Sequence, residues 1–451
     1  MTTSLPQPAR TDDPPEPLPD FLLASRHWEM RAQGGRLLQP VLAPDPRSVV
    51  SDLLAVLRHA EEEAGQAHVL CGLIPFDLSE PAHLRVTSSV SWRPRRWSTP
   101  SPAPQDPPAL PGHGGQVPRP PQDSPLAALT DTPATGAALT GGTLAEAATG
   151  LTDTGVTDTG LTDTVFMDNV RTVLDLLGHE GLQKVVLSRW VDVALPDSLD
   201  PARLASCLVG RLMTDRHRDA DVYCATDVQG RTWLGASPEV VADTRDGLFL
   251  TAPLAGSLPR SVERTQAVAR LTGSPKEMRE HALVVDQVAA TLGDVVDDLQ
   301  VPSAPSLLAT DTMWHLGTRV TGRLRPGVSC LDAALSLHPT PAVCGVPTAR
   351  AAEVIRSLEG RSRELYSGLV GWTDSSGDGR WSLVIRGACL SRQHLRVQAG
   401  AGIVEGSSPE REHAETAAKL STMLSTLSHL DHLNGAPAPS DALDSPRQPL
   451  R

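Results

Sequence analysis

The stretch LYSGLVGWTDSSGDGRWSLVIRGACL (residues 365–390) limits the fold more than any other part of the chain. Two apolar runs separated by a cluster of Ser, Gly and Asp read as strands joined by a hairpin turn. Strands joined that closely run antiparallel, because parallel neighbours need a crossover of about a dozen residues or more. The preceding chain repeats the pattern. After the long run LQKVVLSRWVDVAL (Leu182 to Leu195), the strands DVYCATD, RTWLGASPEVVADT and LFLTAPLAGSLPR follow with short turns between them. Helical periodicity is interspersed at VFMDNVRTVLDLLGHEGL, PARLASCLVGRLMT and ARAAEVIRSLEGRS. An α+β fold built on large antiparallel sheets follows, not a doubly wound parallel one.

The N-terminal region adds folded material and then interrupts it. Residues 1–19 are rich in Pro and Asp with nothing to bury, so disorder is expected. Over residues 20–92, FLLASRHWEM (Phe21 to Met30) and VLCGLIPFDL (Val69 to Leu78) read as strands around a helix carrying Val49, Leu53, Val56 and Leu57 on one stripe. Residues 93–163 collapse into Pro, Thr, Ala, Gly and Asp, with LTDT three times, and read as a disordered insertion. The core is expected over 164–433, and residues 434–451 as a disordered tail.

Charge and cysteine usage exclude several classes. With 53 acidic against 40 basic residues and no basic stripe, a nucleic-acid surface is not expected. Six cysteines stand without CxxC or CxxH spacing, which suggests neither zinc nor a disulfide framework and fits a reducing cytosol. No signal core or membrane-length apolar run is present, so a cytoplasmic, unanchored monomer is expected.

Two acidic helix starts stand out. GAGIVEGSSPEREHAETAAK (Gly400 to Lys419) reads as a strand end, a glycine turn and a helix capped by Ser408. There Glu412, Glu415 and Lys419 share one face. Ser274 to Leu299 repeats the device with Glu277 and Glu280, ahead of a stripe through Met278, Val285, Val288, Leu292, Val295 and Leu299. Either helix alone is an ordinary solvated face favouring the positive end of the dipole. Together, hard oxygens from two helices suit Mg²⁺, which keeps waters and substrate oxygens in its shell.

Candidate chemistry lies on the strands. Lys184 sits just inside an apolar run, where burial disfavours the ammonium and makes a neutral amine available as a general base. The alternative is a strand-start lysine with its head in water. Glu239 in GASPE follows a strand; in an apolar pocket it stays protonated and can act as an acid, and otherwise it is a turn carboxylate. Gly256 and Ser257 in PLAGS, and Gly400 and Gly402 in GAGIV, offer backbone N–H groups to an anion or are plain turns. Arg386, in the apolar run SLVIRGACL, needs an anionic partner if it faces inward, and Tyr366 can add a hydroxyl to the same anion. His315 and His338 lie at expected turns, as structural or substrate-positioning groups.

From about Phe166 to Leu430 the chain resembles the chorismate-utilising enzymes, which include anthranilate, aminodeoxychorismate and salicylate synthases. KVVLSR, GASPE, PLAGS, KEMREH, TMWHLGT, HPTPAVCG, ELYSGLVGW, VIRGA, GAGIVEGSSPE and ETAAK match in the family's order. The resemblance implies a fold like that of anthranilate synthase component I, with antiparallel sheets packed as a sandwich among helices. Within the family the pattern is most similar to the isochorismate synthases. Lys184 stands where amine-transferring members carry glutamine, and Ala255 where aminodeoxychorismate synthases carry a nucleophilic lysine. The activity so implied is a Mg²⁺-dependent isomerisation of chorismate to isochorismate, feeding siderophore, menaquinone or specialised-metabolite synthesis. Salicylate synthase, which goes on to eliminate pyruvate, and a non-catalytic member are the alternatives. By resemblance Lys184 is the base and Glu239 the acid, Glu280 and Glu415 bind the metal, and Glu277 and Glu412 support them. The metal with Gly256 and Ser257 would hold the ring carboxylate, and Arg386 with Tyr366 the enolpyruvyl carboxylate. His315, Gly400, Gly402 and Lys419 complete the substrate site. Two departures are Val240 and Val241, where arginine and leucine are frequent, and Gln398, which replaces a common aromatic.

Overall fold

The computed structural model describes residues 17–95, 163–197, 199–214, 217–310 and 313–427. The expectations for residues 1–16, 96–162 and 428–451 lie outside the described residues.

Two nine-stranded sheets and one of three strands form the framework, and every strand pairing among the described residues is antiparallel. The first large sheet runs from Gly345–Val346 through Lys184–Ala194, His394–Ile403, Gly387–Leu390, Thr232–Ser237, Asp221–Thr226, Phe21–Ala24 and Trp28–Ala32 to Val90–Pro94. The second runs from Val296–Gln300 through Val320–Leu324, Leu248–Ala252, Val240–Arg245, Gly379–Leu383, Leu369–Asp374, Val69–Ile74 and His83–Thr87 to Arg36–Leu38. The small sheet holds Leu254–Pro259, Met313–Gly317 and Ser306–Ala309. The N-terminal strands enter both large sheets, Phe21–Ala24 beside Asp221–Thr226 and Val69–Ile74 beside Leu369–Asp374.

Several apolar runs that read as single strands are two strands in different sheets. RTWLGASPEVVADT splits into Thr232–Ser237 in the first sheet and Val240–Arg245 in the second, with Pro238 and Glu239 at the crossing. Proline cannot donate to a ladder, so the run breaks there. RWSLVIRGACL hands back the other way, from Gly379–Leu383 to Gly387–Leu390, with Arg386 at φ 52°. LFLTAPLAGSLPR breaks at Pro253, moving the chain from the second sheet to the small one. FLLASRHWEM is itself a hairpin, Phe21–Ala24 paired with Trp28–Ala32. Strands covered on both faces read as continuous apolar runs, which conceals such breaks.

The two large sheets share a core. Trp28 and Trp92 of the first meet Trp372 of the second edge-on at centroid separations of 5.0–6.4 Å. The partly buried Arg380 of the second sheet donates to both carboxylate oxygens of Asp221 in the first, at 2.8 and 3.0 Å.

Helices pack their apolar stripes beneath the sheets. Pro46–Ala64 buries Val50, Leu53, Leu54 and Leu57, so Val49 and Val56 lie at the edge of the stripe and not its centre. The first acidic helix is Pro275–Leu292, capped by Ser274 Oγ, which accepts from the Glu277 N–H at 3.3 Å. It ends at Leu292; Val295 and Leu299 lie beyond it, Leu299 in the strand Val296–Gln300. Its buried face holds Glu280 and His281 beside Val284, Val285, Val288 and Leu292. The second acidic helix, Pro409–Leu427, starts as expected with Ser408 Oγ accepting from the Arg411 N–H. No helix among the described residues is long and apolar enough to cross a membrane.

Candidate active site

Both hand-offs between the large sheets open on one cavity. Its wall includes Glu239 from one crossing, Arg386 from the other, and Gly256 and Ser257 from the small sheet. Glu280 and Glu415 reach it from the two acidic helices, and His315, Tyr366, Gly400, Gly402 and Lys419 complete the set. Gln398 also lines it, so that departure from the family pattern touches the site, whereas Val240 and Val241 belong to the strand beyond Glu239.

Lys184 begins the strand Lys184–Ala194 and is fully buried. Its Nζ lies 3.1 Å from Glu280 Oε1, so the ammonium that burial would penalise is matched by a carboxylate. Gly402, opposite Val186 in the neighbouring strand, makes the pair possible. A Cβ there would stand 2.3 Å from Glu280 Oε1 and 2.8 Å from Lys184 Cε. Gly400 and Gly402 sit in the strand ladder, so they contribute space and not a turn. The Gly400 carbonyl accepts from Lys419 Nζ at 2.8 Å.

Glu239 is buried, and that burial pushes its carboxyl up to about 8 despite the Leu254 N–H and the charges of Lys184, Lys419 and Arg386. It is neutral at pH 7, in the state an acid needs.

Arg386 occupies a left-handed backbone position, not a regular strand position, and its Nη2 lies 3.3 Å from His315 Nε2. Burial, then Arg386, holds His315 well below its ordinary range, so the ring is neutral. Because guanidinium can only donate, Nε2 accepts; Nδ1 then carries the proton and donates to Ser257 Oγ at 2.9 Å. Tyr366 precedes the strand Leu369–Asp374 and does not begin it. Its hydroxyl would lie 3.4 Å from a Cβ at Gly400.

One histidine expectation is corrected, and the other histidine takes the structural of its two expected roles. His315 is inside the strand Met313–Gly317 and not at a turn, because the small sheet forms from a run that reads as loop. His338 closes the helix Cys330–Leu337 and does not line the cavity. Its Nε2 lies 3.0 and 3.1 Å from the Pro75 and Phe76 carbonyls, and burial lowers it to about 4. The Ser257 N–H, expected to be free for an anion, is instead donated to Glu277 Oε2 at 3.2 Å.

The glutamates are held by lysines. Lys276 Nζ lies 3.1 Å from Glu412 Oε1, 3.3 Å from Glu277 Oε1 and 3.6 Å from Glu280 Oε2, and Lys419 pairs with Glu415 at 2.6 Å. Among the described residues, no three acidic, histidine or cysteine side chains converge closely enough to chelate an ion as they stand. The donor set nevertheless fits a hard divalent cation: it is all oxygen, and four carboxylates face three ammonium groups. Glu412 Oε2 is buried without a hydrogen-bond partner. Burial, then Glu415, pushes the Glu412 carboxyl up to about 7, a cost that a cation would relieve.

Sequence reasoning passed over Lys276, although a simple signal marks it. Lys184, Lys276 and Lys419 are the only lysines in the 451 residues, every other side chain of the Lys and Arg class being arginine. All three meet these glutamates. Also missed was the buried pair behind the cavity, where Glu359 receives Arg363 at 2.5 and 2.8 Å and the Ser188 N–H at 2.7 Å.

Comparison with known proteins identifies relatives of this chain. Residues 144–428 match the model of a family described as chorismate binding enzyme. The isochorismate synthase DhbC of Bacillus subtilis is 43% identical over 263 residues, 56% of this chain and 64% of the relative. The chain thus spans just under two thirds of that relative's length. A Mycobacterium tuberculosis protein named MenF is 35% identical over 376 residues, 81% of this chain and 87% of that one. The crystal structure of DhbC from Bacillus anthracis superposes with a TM-score of 0.73 at 30% identity, covering 90% of this chain and 96% of that one.

Proposed function

This chain belongs to the family of chorismate-binding enzymes, and on that footing we propose that it is a Mg²⁺-dependent isochorismate synthase acting as a cytoplasmic monomer. The observation that carries the reading is Glu239, a buried carboxyl neutral at pH 7 on the wall of a cavity that Glu280, Glu415 and Arg386 share. Ala255, where a lysine would transfer an amine, supports water as the nucleophile.

Glu280 and Glu415 would hold the ion, with Glu277 and Glu412 supporting them; when bound, it neutralises and orients the ring carboxylate of chorismate. Arg386, steadied by His315, grips the enolpyruvyl carboxylate, and the Tyr366 hydroxyl donates to it. Ser257 Oγ accepts from His315, so its own proton is free to point at substrate. With Glu280 given over to the ion, Lys184 would lose the carboxylate that favours its ammonium, and as the neutral amine it takes a proton from water as the oxygen bonds to C2. The ring double bonds shift, the C4–O bond breaks, and Glu239 gives its proton so that the leaving group departs as water. One water enters and one leaves, so the conversion is an isomerisation. Lys184 ends protonated and Glu239 ionised, and proton exchange with solvent restores both.

The test is incubation of the purified protein with chorismate and Mg²⁺, with products resolved by chromatography and NMR. Isochorismate without pyruvate is expected. Pyruvate and fluorescent salicylate would make it a salicylate synthase, ammonia-dependent anthranilate an amine-transferring enzyme, and absence of turnover a binding protein.

A further inference from the structure

Lys276 stands one residue from Glu277 and one turn from Glu280, at the start of the helix Pro275–Leu292, and reaches across to Glu412 on the other acidic helix. One ammonium among three carboxylates from two helices is the charge arrangement a small hard cation would meet. Residue choice points the same way. In a chain that otherwise uses arginine for its strong cations, a compact point charge is kept here. A planar guanidinium could not sit at one point among three carboxylates, whereas an ammonium on a flexible stem can both sit there and leave.

We propose that Lys276 is a place-holding cation: it ties the two acidic helices together while the site lacks a divalent ion, and it must be displaced when the ion binds. The inference rests on the reading of the site as one for Mg²⁺. It adds that the ion meets an occupied cage, so metal affinity is set by competition with a residue of the chain itself. A single positive charge leaves these carboxylates under-neutralised, where a divalent ion brings two. That is the advantage the divalent ion has over it.

The experiment uses the full chain, stripped with a chelator and without substrate. Amines are acylated with an N-hydroxysuccinimide ester, with and without saturating Mg²⁺, and modification is quantified by peptide mass spectrometry. Only three lysines and the N-terminus compete for reagent. Mg²⁺ is expected to raise labelling of Lys276 several-fold while the N-terminal amine is unaffected. Lys276→Met should bind Mg²⁺ about tenfold tighter by calorimetry, and its metal-free form should melt at a lower temperature than wild type. Lys276→Arg, which keeps charge without the compact head, should not reproduce the tighter binding. If Mg²⁺ raises the melting temperature of the wild type yet Lys276 labelling does not change, the place-holding role is overturned. If millimolar Mg²⁺ neither binds nor shifts melting, the proposal falls together with the metal reading. Failure to turn over chorismate would leave these readouts intact and reject only the activity.

Discussion

Glu239→Gln isolates the proton on which the proposed chemistry turns. Glutamine keeps the volume and an oxygen to accept the Leu254 N–H, and removes only the group that can ionise. In the folded protein the Glu239 carboxyl titrates near 8, against an ordinary value of 4.5. Between those values the folded state holds a proton that the unfolded chain has lost, so wild-type stability falls as pH rises through the window and levels off above it. At about 1.4 kcal/mol for each pH unit between the two titrations, the whole window is worth roughly 4–5 kcal/mol. The glutamine variant lacks this slope. Urea denaturation at intervals from pH 5 to 9 should therefore give a stability difference, variant minus wild type, that grows with pH and then flattens. In parallel, turnover of the variant should fall about 10²-fold, the usual scale for an acid group. The wild-type rate should decline above pH 8 as Glu239 ionises. Parallel stability curves for the two proteins, or a wild-type rate still climbing past pH 9, would refute the reasoning.

Three further substitutions probe the frame. Gly402→Ala places a methyl where Glu280 Oε1 and Lys184 Cε now lie, so it should cost about 1–3 kcal/mol in melting experiments and uncouple the Lys184–Glu280 pair, seen as a large fall in kcat. Glu415→Ala should raise the Mg²⁺ concentration needed for half-maximal rate, read from a metal titration at fixed chorismate; an unchanged requirement would reject its role as a ligand. Glu359→Ala strands the buried Arg363 guanidinium and should lose roughly 3–5 kcal/mol by denaturant unfolding, the penalty for an uncompensated buried charge.

How far the sequence revealed this molecule varies with the length scale of the cause. Helix starts were legible because their caps are local: Ser274 and Ser408 each accept the backbone N–H that their position predicts. The hairpin Leu369–Asp374 with Gly379–Leu383 was legible for the same reason. The hand-offs between sheets were not. Nothing in RTWLGASPEVVADT except one proline announces that its halves belong to different sheets, since both halves are apolar. The small sheet was equally hidden, and with it the strand position of His315. Candidate site residues stood out where an apolar run contains one misplaced polar group, as at Lys184, Glu239 and Arg386; the cavity wall includes Glu239 and Arg386, and Lys184 is fully buried beside Glu280. Lys276 escaped because a lysine beside two glutamates looks like ordinary helix surface. Only its rarity in this composition sets it apart.

The strand hand-offs at Pro238–Glu239 and at Arg386 carry a consequence for specificity. Each of these residues lies where the chain passes from one large sheet to the other, so the separation between them is tied to how the two layers are held together. On the proposed reading, room for a bulkier molecule would mean shifting the two layers where Trp372 and Arg380 join them.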